Sequence, residues 1–425
     1  MNSQQSKKAN QLTSHFFRNE YGKLVAVITR YLGNAHVETA EDIVQETLLK
    51  ATEHWEMKGI PENPKAWLYT TAKNLTLNVL KRKKYQREYE SQTDQKSEMN
   101  EIGFFSDELI EDSQLKMMFA CCHPSVSENS QIALILKILS GFSVSEIANA
   151  FFSNEETINK RLVRGRLQLR KVKIDLSLKF DIDKRLEAVL KTIYLLFNEG
   201  YFPASKNQVI RFDLCLEAIR LARLLEESTV IANKTACSAL LALMYFNASR
   251  FASRVSDTGE IIDLKEQDRS KWDSLLIQRG MQHLNNITLT KTITKYSILA
   301  AISANHCISE SYKKTNWDEI LSLYDQLMLL EDSPITQLNR SVALAEVKGV
   351  QAAISTLETL GKESDINNYF LYHFTLAEFH KTNKTFKKAY SAYNRALNLA
   401  KNPRDKELLK KKLNTLVLIS PSQLS

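Results

Sequence analysis

The chain has 425 residues, of which 44% are hydrophobic and 25% are charged, so it can bury a sizeable core and disorder of the whole chain is excluded. Glycine and proline are few for this length, and Leu, Ala, Lys, Glu and Ile recur at spacings of three and four residues. This pattern predicts helices nearly throughout and an all-α fold. No run of about eighteen uncharged apolar residues occurs and the polar N-terminus lacks a signal-peptide core, so we expect a cytoplasmic protein without a membrane partner.

Cysteine usage and motif content argue against metal, cofactor and catalytic chemistry. The five cysteines are odd in number and have no paired CxxC spacing, so we expect buried, reduced thiols rather than a disulfide frame or a zinc site. No phosphate-binding, dinucleotide-binding or zinc-protease motif is visible, and no carboxylate or nucleophile is placed beside a histidine. We therefore predict that the protein is not an enzyme and needs no cofactor or metal.

The charge is distributed in blocks along the N-terminal part of the chain. The net charge is +8, but residues 73–87 contain six basic residues and no acid, and residues 160–173 contain seven basic residues and no acid. Between these blocks, residues 88–128 contain ten acids and two lysines. Two basic patches that flank an acidic connector are typical of two modules that bind one polyanion.

The elements in chain order predict four regions. Residues 10–88 indicate three helices, with a loop at residues 57–64 whose last proline starts the third helix, because proline fits the first turn of a helix. We call this region the first module. Residues 89–113 are acidic and lack a sustained apolar period, which predicts a flexible linker. Residues 114–175 indicate a second helical module, and residues 183–425 indicate about ten more amphipathic helices.

Residues 143–171 combine a short apolar helix, a polar turn and a basic helix. Ser143 or Ser145 can cap the first helix, and the turn "SNEE" supplies a cap with acids for the second. Ile158, Leu162 and Leu169 share one face with Gly165, and the remaining face carries Glu156, Asn159, Lys160 and Arg164, with Arg161 and Arg166 at its edges. This predicts a helix-turn-helix whose second helix reads a major groove while its later arginines bind phosphates. A solvated helix hairpin with a charged surface is the alternative.

The third helix of the first module interleaves aromatic, amide and basic side chains. Trp67 and Tyr69 alternate with Lys73, Asn74 and Asn78 before the run that begins at Lys81. Aromatic faces stack on unpaired bases, amides read base edges and lysines neutralise phosphates, so the helix is a candidate surface for single-stranded DNA. For Trp67 taken alone, a core position is the better interpretation.

These motifs resemble the extracytoplasmic-function sigma factors of the σ70 family. The segment "AEDIVQETLLKA" resembles region 2.2 of that family, "NPKAWLYTTAKNLTLNVLKRKK" resembles regions 2.3 and 2.4, and residues 143–171 resemble region 4.2, in the same order. The resemblance implies a sigma region 2 helical bundle at residues 10–88 and a helix-turn-helix sigma region 4 at residues 114–175. It also implies core RNA polymerase and promoter DNA as partners.

The resemblance assigns roles to individual residues. Asp42, Gln45 and Glu46 would bind polymerase, and residues 57–64 would take part in capture of the −10 element. The residues expected at the −10 element are Trp67, Tyr69, Lys73, Asn74, Asn78, Lys81 and Arg82, and those expected at the −35 element are Glu156, Thr157, Asn159, Lys160, Arg161 and Arg164. The chain departs from the family at two of these positions: Asn78 stands where the family often has Asp, and Lys73 where it often has Arg. Because lysine lacks the planar guanidinium fork of arginine, the DNA sequence preferred at the −10 element is left open.

The C-terminal part contains two similar segments. Their "LAE" triplets lie 32 residues apart and Ala353 and Ala389 lie 36 apart, which brackets the 34-residue period of tetratricopeptide repeats; an ordinary helical bundle is the alternative. Residues 183–410 resemble the tetratricopeptide-like extension found in one subgroup of these sigma factors. The resemblance implies a regulatory extension, with a contact between it and the sigma regions as one option.

We expect Gly200 to cap a helix rather than form a functional loop, and Asp268 to form a buried ion pair with Arg269 rather than line a ligand pocket.

Two other functional classes are consistent with the sequence. A one-component transcription regulator would bind duplex DNA through residues 143–171 and sense a ligand or protein with its helical tail. A tetratricopeptide scaffold would only contact acidic partners with its basic regions.

Overall fold

The computed structural model describes residues 3–90, 104–151, 153–172, 179–201, 211–256, 262–288, 292–400 and 403–419. Every regular element within these ranges is helical and none is a β-strand, which confirms the all-α prediction. None of the helices in the described part of the chain is long and apolar enough to cross a membrane.

The chain divides into two compact units, which we describe separately. Unit 1 contains Met1–Gly200 and Leu216–Lys234, and unit 2 contains Tyr201–Cys215 and Thr235–Ser425. The first nine helices are α1 (Ser3–Leu32), α2 (Val37–Lys58), α3 (Pro64–Glu90), α4 (Asp107–Cys121), α5 (Glu128–Leu134), α6 (Val144–Ala150), α7 (Glu155–Leu169), α8 (Lys179–Tyr201) and α9 (Phe212–Glu227). In the described part of the chain they are followed by α10 (Thr235–Ala248), α11 (Phe251–Arg254), α12 (Ser274–Thr288), α13 (Lys295–Ile308), α14 (Trp317–Leu330), α15 (Pro334–Lys348), α16 (Val350–Glu363), α17 (Phe370–Thr382), α18 (Phe386–Leu399) and α19 (Pro403–Ile419).

Helix α1 connects the two predicted modules of unit 1. It packs against α2 and α3 of the first module and also against α4 and the π-helical turn Ile135–Leu139 of the second. Most of its residues between Tyr21 and Leu32 are buried, because apolar side chains occupy several sides of the helix. The two modules therefore share one core.

The predicted flexible linker at residues 89–113 overlaps two helices at its ends. Helix α3 runs to Glu90 and α4 begins at Asp107, so residues 107–113 are helical, and residues 91–103 lie outside the described residues. Ser106 caps α4, with its hydroxyl oxygen accepting a hydrogen bond from the backbone of Leu109 at 3.2 Å. Phe104 is buried and stacks on Tyr31 of α1 with ring centres 4.0 Å apart. Local polarity predicted the linker, but Ser106 starts a helix within it and Phe104 packs its end on the first module.

The predicted boundary at residue 183 lies inside unit 1. Thr192 of α8 donates a hydrogen bond to Gln131 of α5 at 3.0 Å, and Lys191 forms an ion pair with Glu128. The first helix of the predicted extension thus packs on the second module. Gly200 lies in the last turn of α8, which continues to Tyr201, so Gly200 is not the expected residue after the helix end.

Unit 2 contains the two similar segments as helix pairs. Helices α15 and α16 pack against each other, as do α17 and α18. Ala353 and Ala389 are both fully buried in these clusters, where a small side chain lets two helices approach closely. The relation of these pairs to tetratricopeptide repeats stays a prediction.

The expected ion pair between Asp268 and Arg269 is wrong. Asp268 is exposed and its carboxylate accepts a hydrogen bond from the backbone of Ser270 at 3.0 Å, at the start of a short 3₁₀ helix. Arg269 instead donates to the carbonyl oxygens of His306 and Ser309 at 2.5 Å each. A helix end leaves such carbonyls without partners, and a guanidinium satisfies two of them at once.

Candidate polymerase and nucleic-acid interface

Helix α2 presents an acidic stripe to solvent. Asp42, Gln45 and Glu46 are all exposed, and they share one face because they are spaced by three and four residues. Ile43 and Val44 point into the core on the other side. Glu46 forms an exposed ion pair with Lys50 at 2.8 Å. The stripe is therefore available to a basic partner without any rearrangement of the helix.

The loop between α2 and α3 exposes apolar side chains. Gly59 has φ +83°, a conformation that favours glycine, and the chain turns there before Pro64 starts α3. The side chains of Met57 and Ile60 are 77% and 61% exposed. Asn63 orders the entry to α3, since its side-chain oxygen accepts a hydrogen bond from the backbone of Ala66 at 3.0 Å.

Helix α3 exposes most of the polar residues expected at the −10 element. Asn74, Asn78, Lys81 and Arg82 are exposed and Lys73 is half-buried, whereas Leu68, Ala72 and Thr76 face the core. This face offers two amides and basic groups within about two turns of helix. A single-stranded polyanion with readable base edges is the ligand that such a set suits.

The two aromatic residues of α3 have different environments. Trp67 is half-buried and packs against Trp55, with ring centres 5.9 Å apart. Tyr69 is only 8% exposed; its hydroxyl donates to Glu20 at 2.5 Å and its ring stacks on Phe105 at 4.7 Å. The expected base contact by Tyr69 therefore does not fit the structure. Its aromatic face is covered by the residues that precede α4.

Helices α6 and α7 form the expected helix pair with both caps in place. Ser143 and Glu146 form a reciprocal capping box on α6, and Asn154 caps α7 by accepting from the backbone of Thr157 at 2.7 Å. The predicted inner face is buried, and a Cβ on Gly165 would lie 2.9 Å from the side chain of Leu134. On the outer face Glu156, Asn159, Lys160 and Arg164 are exposed, and Thr157 and Arg161 are half-buried.

Arg166 does not face the solvent as a phosphate-binding residue would. Its guanidinium donates to a carboxylate oxygen of Glu41 in α2 at 2.6 Å, and the two side chains are only 15% and 4% exposed. One turn later, Arg170 forms an ion pair with Glu38 at the start of α2. Burial raises the pKa of Glu41 although Arg166 opposes the shift, so desolvation outweighs the attraction between the two charges.

Further contacts join the first module to the second. A Cβ on Gly22 of α1 would lie 2.6 Å from the carbonyl carbon and 2.9 Å from the Cα of Leu139. Asn34 donates to the carbonyl of Val172 at 2.8 Å. Arg18 forms an ion pair with Glu146 and lies 4.7 Å from the ring centre of Phe142. We call these contacts, with the pairs Glu41–Arg166 and Glu38–Arg170, the clasp.

Sequence reasoning did not find the clasp, although one signal for it existed. Glu41 follows the buried positions Val37 and Ala40 and precedes Val44, at the spacing of one helical face. An acid on an apolar face requires a partner, and the sequence alone did not show that this partner was Arg166.

Cys121, Cys122 and His306 lie in packed surroundings that favour the uncharged form of their side chains. Cys121 and Cys122 are buried and reduced, and burial raises the pKa of Cys122 to about 12. Burial and the nearby Arg250 lower the pKa of His306 to about 3. Within the described ranges, no three His, Cys, Asp or Glu side chains are grouped as a metal site would require.

Comparison with known proteins identifies the family to which the chain belongs. Residues 16–85, which contain α2 and most of α3, match the family described as Sigma-70 region 2. The ECF RNA polymerase sigma factor SigL of Mycobacterium tuberculosis is 30% identical over 151 residues, covering 33% of this chain and 80% of that protein. The chain belongs to the extracytoplasmic-function sigma factors. A second member, SigW of Bacillus subtilis, is 29% identical to this sigma factor over 166 residues, covering 36% of this chain and 84% of its own.

The long C-terminal part of this sigma factor also has relatives. Residues 185–288 match a family of unknown function, DUF6596. Uncharacterized protein R00370 of Rhizobium meliloti is 31% identical over 402 residues, which are 92% of this chain and 93% of that protein. No solved structure matches the chain. The large C-terminal extension is therefore shared with a protein of nearly the same length.

Proposed function

We propose that this sigma factor binds core RNA polymerase, directs it to promoters by reading a −10 and a −35 element, and is regulated by its C-terminal helices. The proposal assigns it no catalytic chemistry and places it in the cytoplasm. Its main support is the coincidence of the Sigma-70 region 2 match with the exposed faces of α2 and α3.

The proposed division of labour follows the exposed chemistry. Asp42, Gln45 and Glu46 would contact basic residues of the polymerase. The −10 element would be held as a single strand by Asn74, Asn78 and the basic end of α3. Trp67 would lie at the edge of this surface. The exposed start of α7 would enter the major groove at the −35 element, where Lys, Arg, Asn and Glu side chains read base edges.

Polymerase binding by the α2 stripe can be tested by charge reversal. We expect the double variant Asp42→Lys, Glu46→Lys to lose affinity for core polymerase in a pull-down or titration, because it presents like charge to the basic partner. The matched control is Glu319→Lys, Glu363→Lys, which makes the same charge change at exposed positions of unit 2. Equal affinity of the parent and the stripe variant would refute this surface.

Promoter recognition can be tested with a holoenzyme reconstituted from this chain and core polymerase. The parent chain with core polymerase should start transcription at a cognate promoter selected from random sequence, and Lys160→Ala or Arg164→Ala should weaken −35 recognition by about 1–3 kcal/mol per base contact. Equal weakening on random duplex would show that these residues contact phosphates only. A one-component regulator would instead bind duplex without polymerase, and failure to associate with core polymerase would reject the sigma-factor proposal.

A further inference from the structure

Unit 2 contains two arginine side chains that lie against one indole ring. Trp272 follows the short 3₁₀ helix and is only 7% exposed. The guanidinium carbon of Arg269 lies 4.8 Å from the centre of this ring, and that of Arg250 lies 5.6 Å from it. The backbone N–H of Asp273 donates to the carbonyl of Ser249 at 2.8 Å, which fixes Trp272 beside the end of α10. Two positive charges are therefore held close together.

Arg269 has a structural role that Arg250 lacks. Arg269 donates to the two carbonyl oxygens at the end of α13 and to the hydroxyl of Thr315 at 3.4 Å. Arg250 is half-buried, and its Nε is buried without a hydrogen-bond partner among the described residues. Nor does Arg250 form an ion pair in that part of the chain. Buried cationic groups in proteins are normally paired, so the Arg250 guanidinium needs an explanation.

The acids closest in sequence to Trp272 do not neutralise these charges. Asp268 accepts a hydrogen bond from the backbone of the short 3₁₀ helix at 3.0 Å. Asp273 caps α12 by accepting from two of its first backbone N–H groups, at 2.9 and 3.0 Å. Within the described ranges, neither carboxylate forms an ion pair with Arg250 or Arg269.

Two more polar atoms beside these arginines are buried without a partner. They are Nε1 of Trp272 and Nδ1 of His306, for which the described residues supply no hydrogen bond. Burial and the charge of Arg250 lower the pKa of both Arg254 and Arg269, so the positive potential here is not cancelled. We call Arg250, Arg269, Trp272 and His306 the arginine cluster. The cluster is rich in donors and lacks an acidic acceptor, which a bound anion would supply.

We propose that the arginine cluster binds a phosphate group, as inorganic phosphate or as a phosphate monoester, with Arg250 as its main contact. A guanidinium binds phosphate through two parallel charge-assisted hydrogen bonds. A phosphate monoester carries a charge of about −1.5 to −2 at pH 7, which matches two arginines better than a singly charged carboxylate does. Arg250, Arg269 and Trp272 lie within the residues that match the family of unknown function. The site goes beyond the proposed function, because it requires neither polymerase nor DNA.

Isothermal titration calorimetry of the full-length protein with inorganic phosphate tests the site, at an ionic strength kept constant with chloride. We expect saturable binding by the parent and at least about tenfold weaker binding by Arg250→Met, which keeps apolar bulk but loses the charged fork. The matched control is Arg279→Met, which removes an exposed arginine of α12 and should bind as the parent does. Absence of saturable binding by the parent, or equal affinity of Arg250→Met, would overturn the proposal.

Thermal unfolding without phosphate separates a ligand-binding role of Arg250 from a structural one. We expect Arg269→Met to lower the unfolding temperature, because it loses its hydrogen bonds to the end of α13. Arg250→Met should leave the temperature unchanged or raise it, because it removes a charge that has no partner. A lower unfolding temperature of Arg250→Met without phosphate would identify Arg250 as a structural cation and overturn the proposal.

Parallel titrations with glycerol 3-phosphate and acetate identify the ligand class. Tighter binding of glycerol 3-phosphate than of inorganic phosphate would assign a monoester to the site, and the reverse order would assign free phosphate. Either result supports the site only if Arg250→Met weakens the binding. Acetate that binds more tightly than both phosphates would overturn the proposal in favour of a carboxylate. None of these measurements involves polymerase, so their failure would leave the proposed function standing.

Discussion

Tyr69 and Trp67 are two residues apart on α3, yet only one of them retains an accessible ring. Tyr69 is buried because its hydroxyl meets Glu20, itself 5% exposed, and because Phe105 covers its face. Burial and the adjacent Glu20 raise the pKa of Tyr69, so its hydroxyl keeps its proton and donates. Whether an aromatic residue in a nucleic-acid-binding motif can contact a base thus depends on whether a hydrogen-bond partner keeps its side chain buried in the core.

Replacing Tyr69 by Phe should destabilise unit 1 without altering its exposed −10 surface. The change removes a donor from a buried carboxylate, and we expect the free energy of unfolding to fall by about 1–3 kcal/mol. Urea denaturation followed by circular dichroism measures this loss. Thr70→Ala, at an exposed neighbouring position, serves as the control. An unchanged urea midpoint for Tyr69→Phe would show that the hydroxyl contributes nothing to the fold.

At the scale of elements, α7 has two halves with different partners. Its first turns, from Glu156 to Lys160, present polar side chains to solvent, whereas its end is paired with α2 through Arg166 and Arg170. The helix keeps this orientation because Gly165 allows close packing on Leu134. One helix therefore carries both the proposed base contacts and part of the clasp.

The cap of α7 should support the proposed reading residues. Asn154→Ala removes the acceptor for the backbone of Thr157 and should lower stability by about 1 kcal/mol. We also expect weaker −35 recognition, because the first turn frays where Glu156 and Thr157 lie. Thermal unfolding and promoter binding measure the two effects. Asn154→Ser, which keeps a capping oxygen, should restore both; loss of both in this conservative variant would contradict the capping role.

At the scale of the whole molecule, the extension and the sigma modules are not separated at residue 183. Helix α8 packs on α5 through Thr192 and Lys191, and Glu217 of α9 accepts a hydrogen bond from Ser140 at 2.7 Å. The buried apolar side chains of α8 include Ile182, Leu186, Val189, Leu190, Ile193, Leu196 and Phe197. Each fully buried side chain of this kind contributes about 1.5–3 kcal/mol.

A fragment ending at Val172 should therefore fold poorly, whereas one ending at Lys234 should unfold cooperatively. The shorter fragment lacks α8, which contacts α5, and α9, which contacts Ser140, while the longer one keeps all of unit 1. Circular dichroism melts and dye binding to exposed apolar surface compare the two fragments. A cooperative melt of the shorter fragment at the temperature of the longer one would show that α8 and α9 are dispensable for this fold.

The sequence by itself determined the all-helical fold, the presence of capping residues before α6 and α7, the buried face of α7 and the exposed acids of α2, whereas the choice of Ser143 over Ser145 came from the structure. These features depend on spacings of three and four residues and on local capping chemistry, which are visible in one short segment. Only the tertiary structure decided that Arg166 pairs with Glu41, that Tyr69 is covered and that α8 belongs with the second module. The partners in these contacts are separated by tens of residues, and by 125 for Arg166 and Glu41, so no local pattern specifies them.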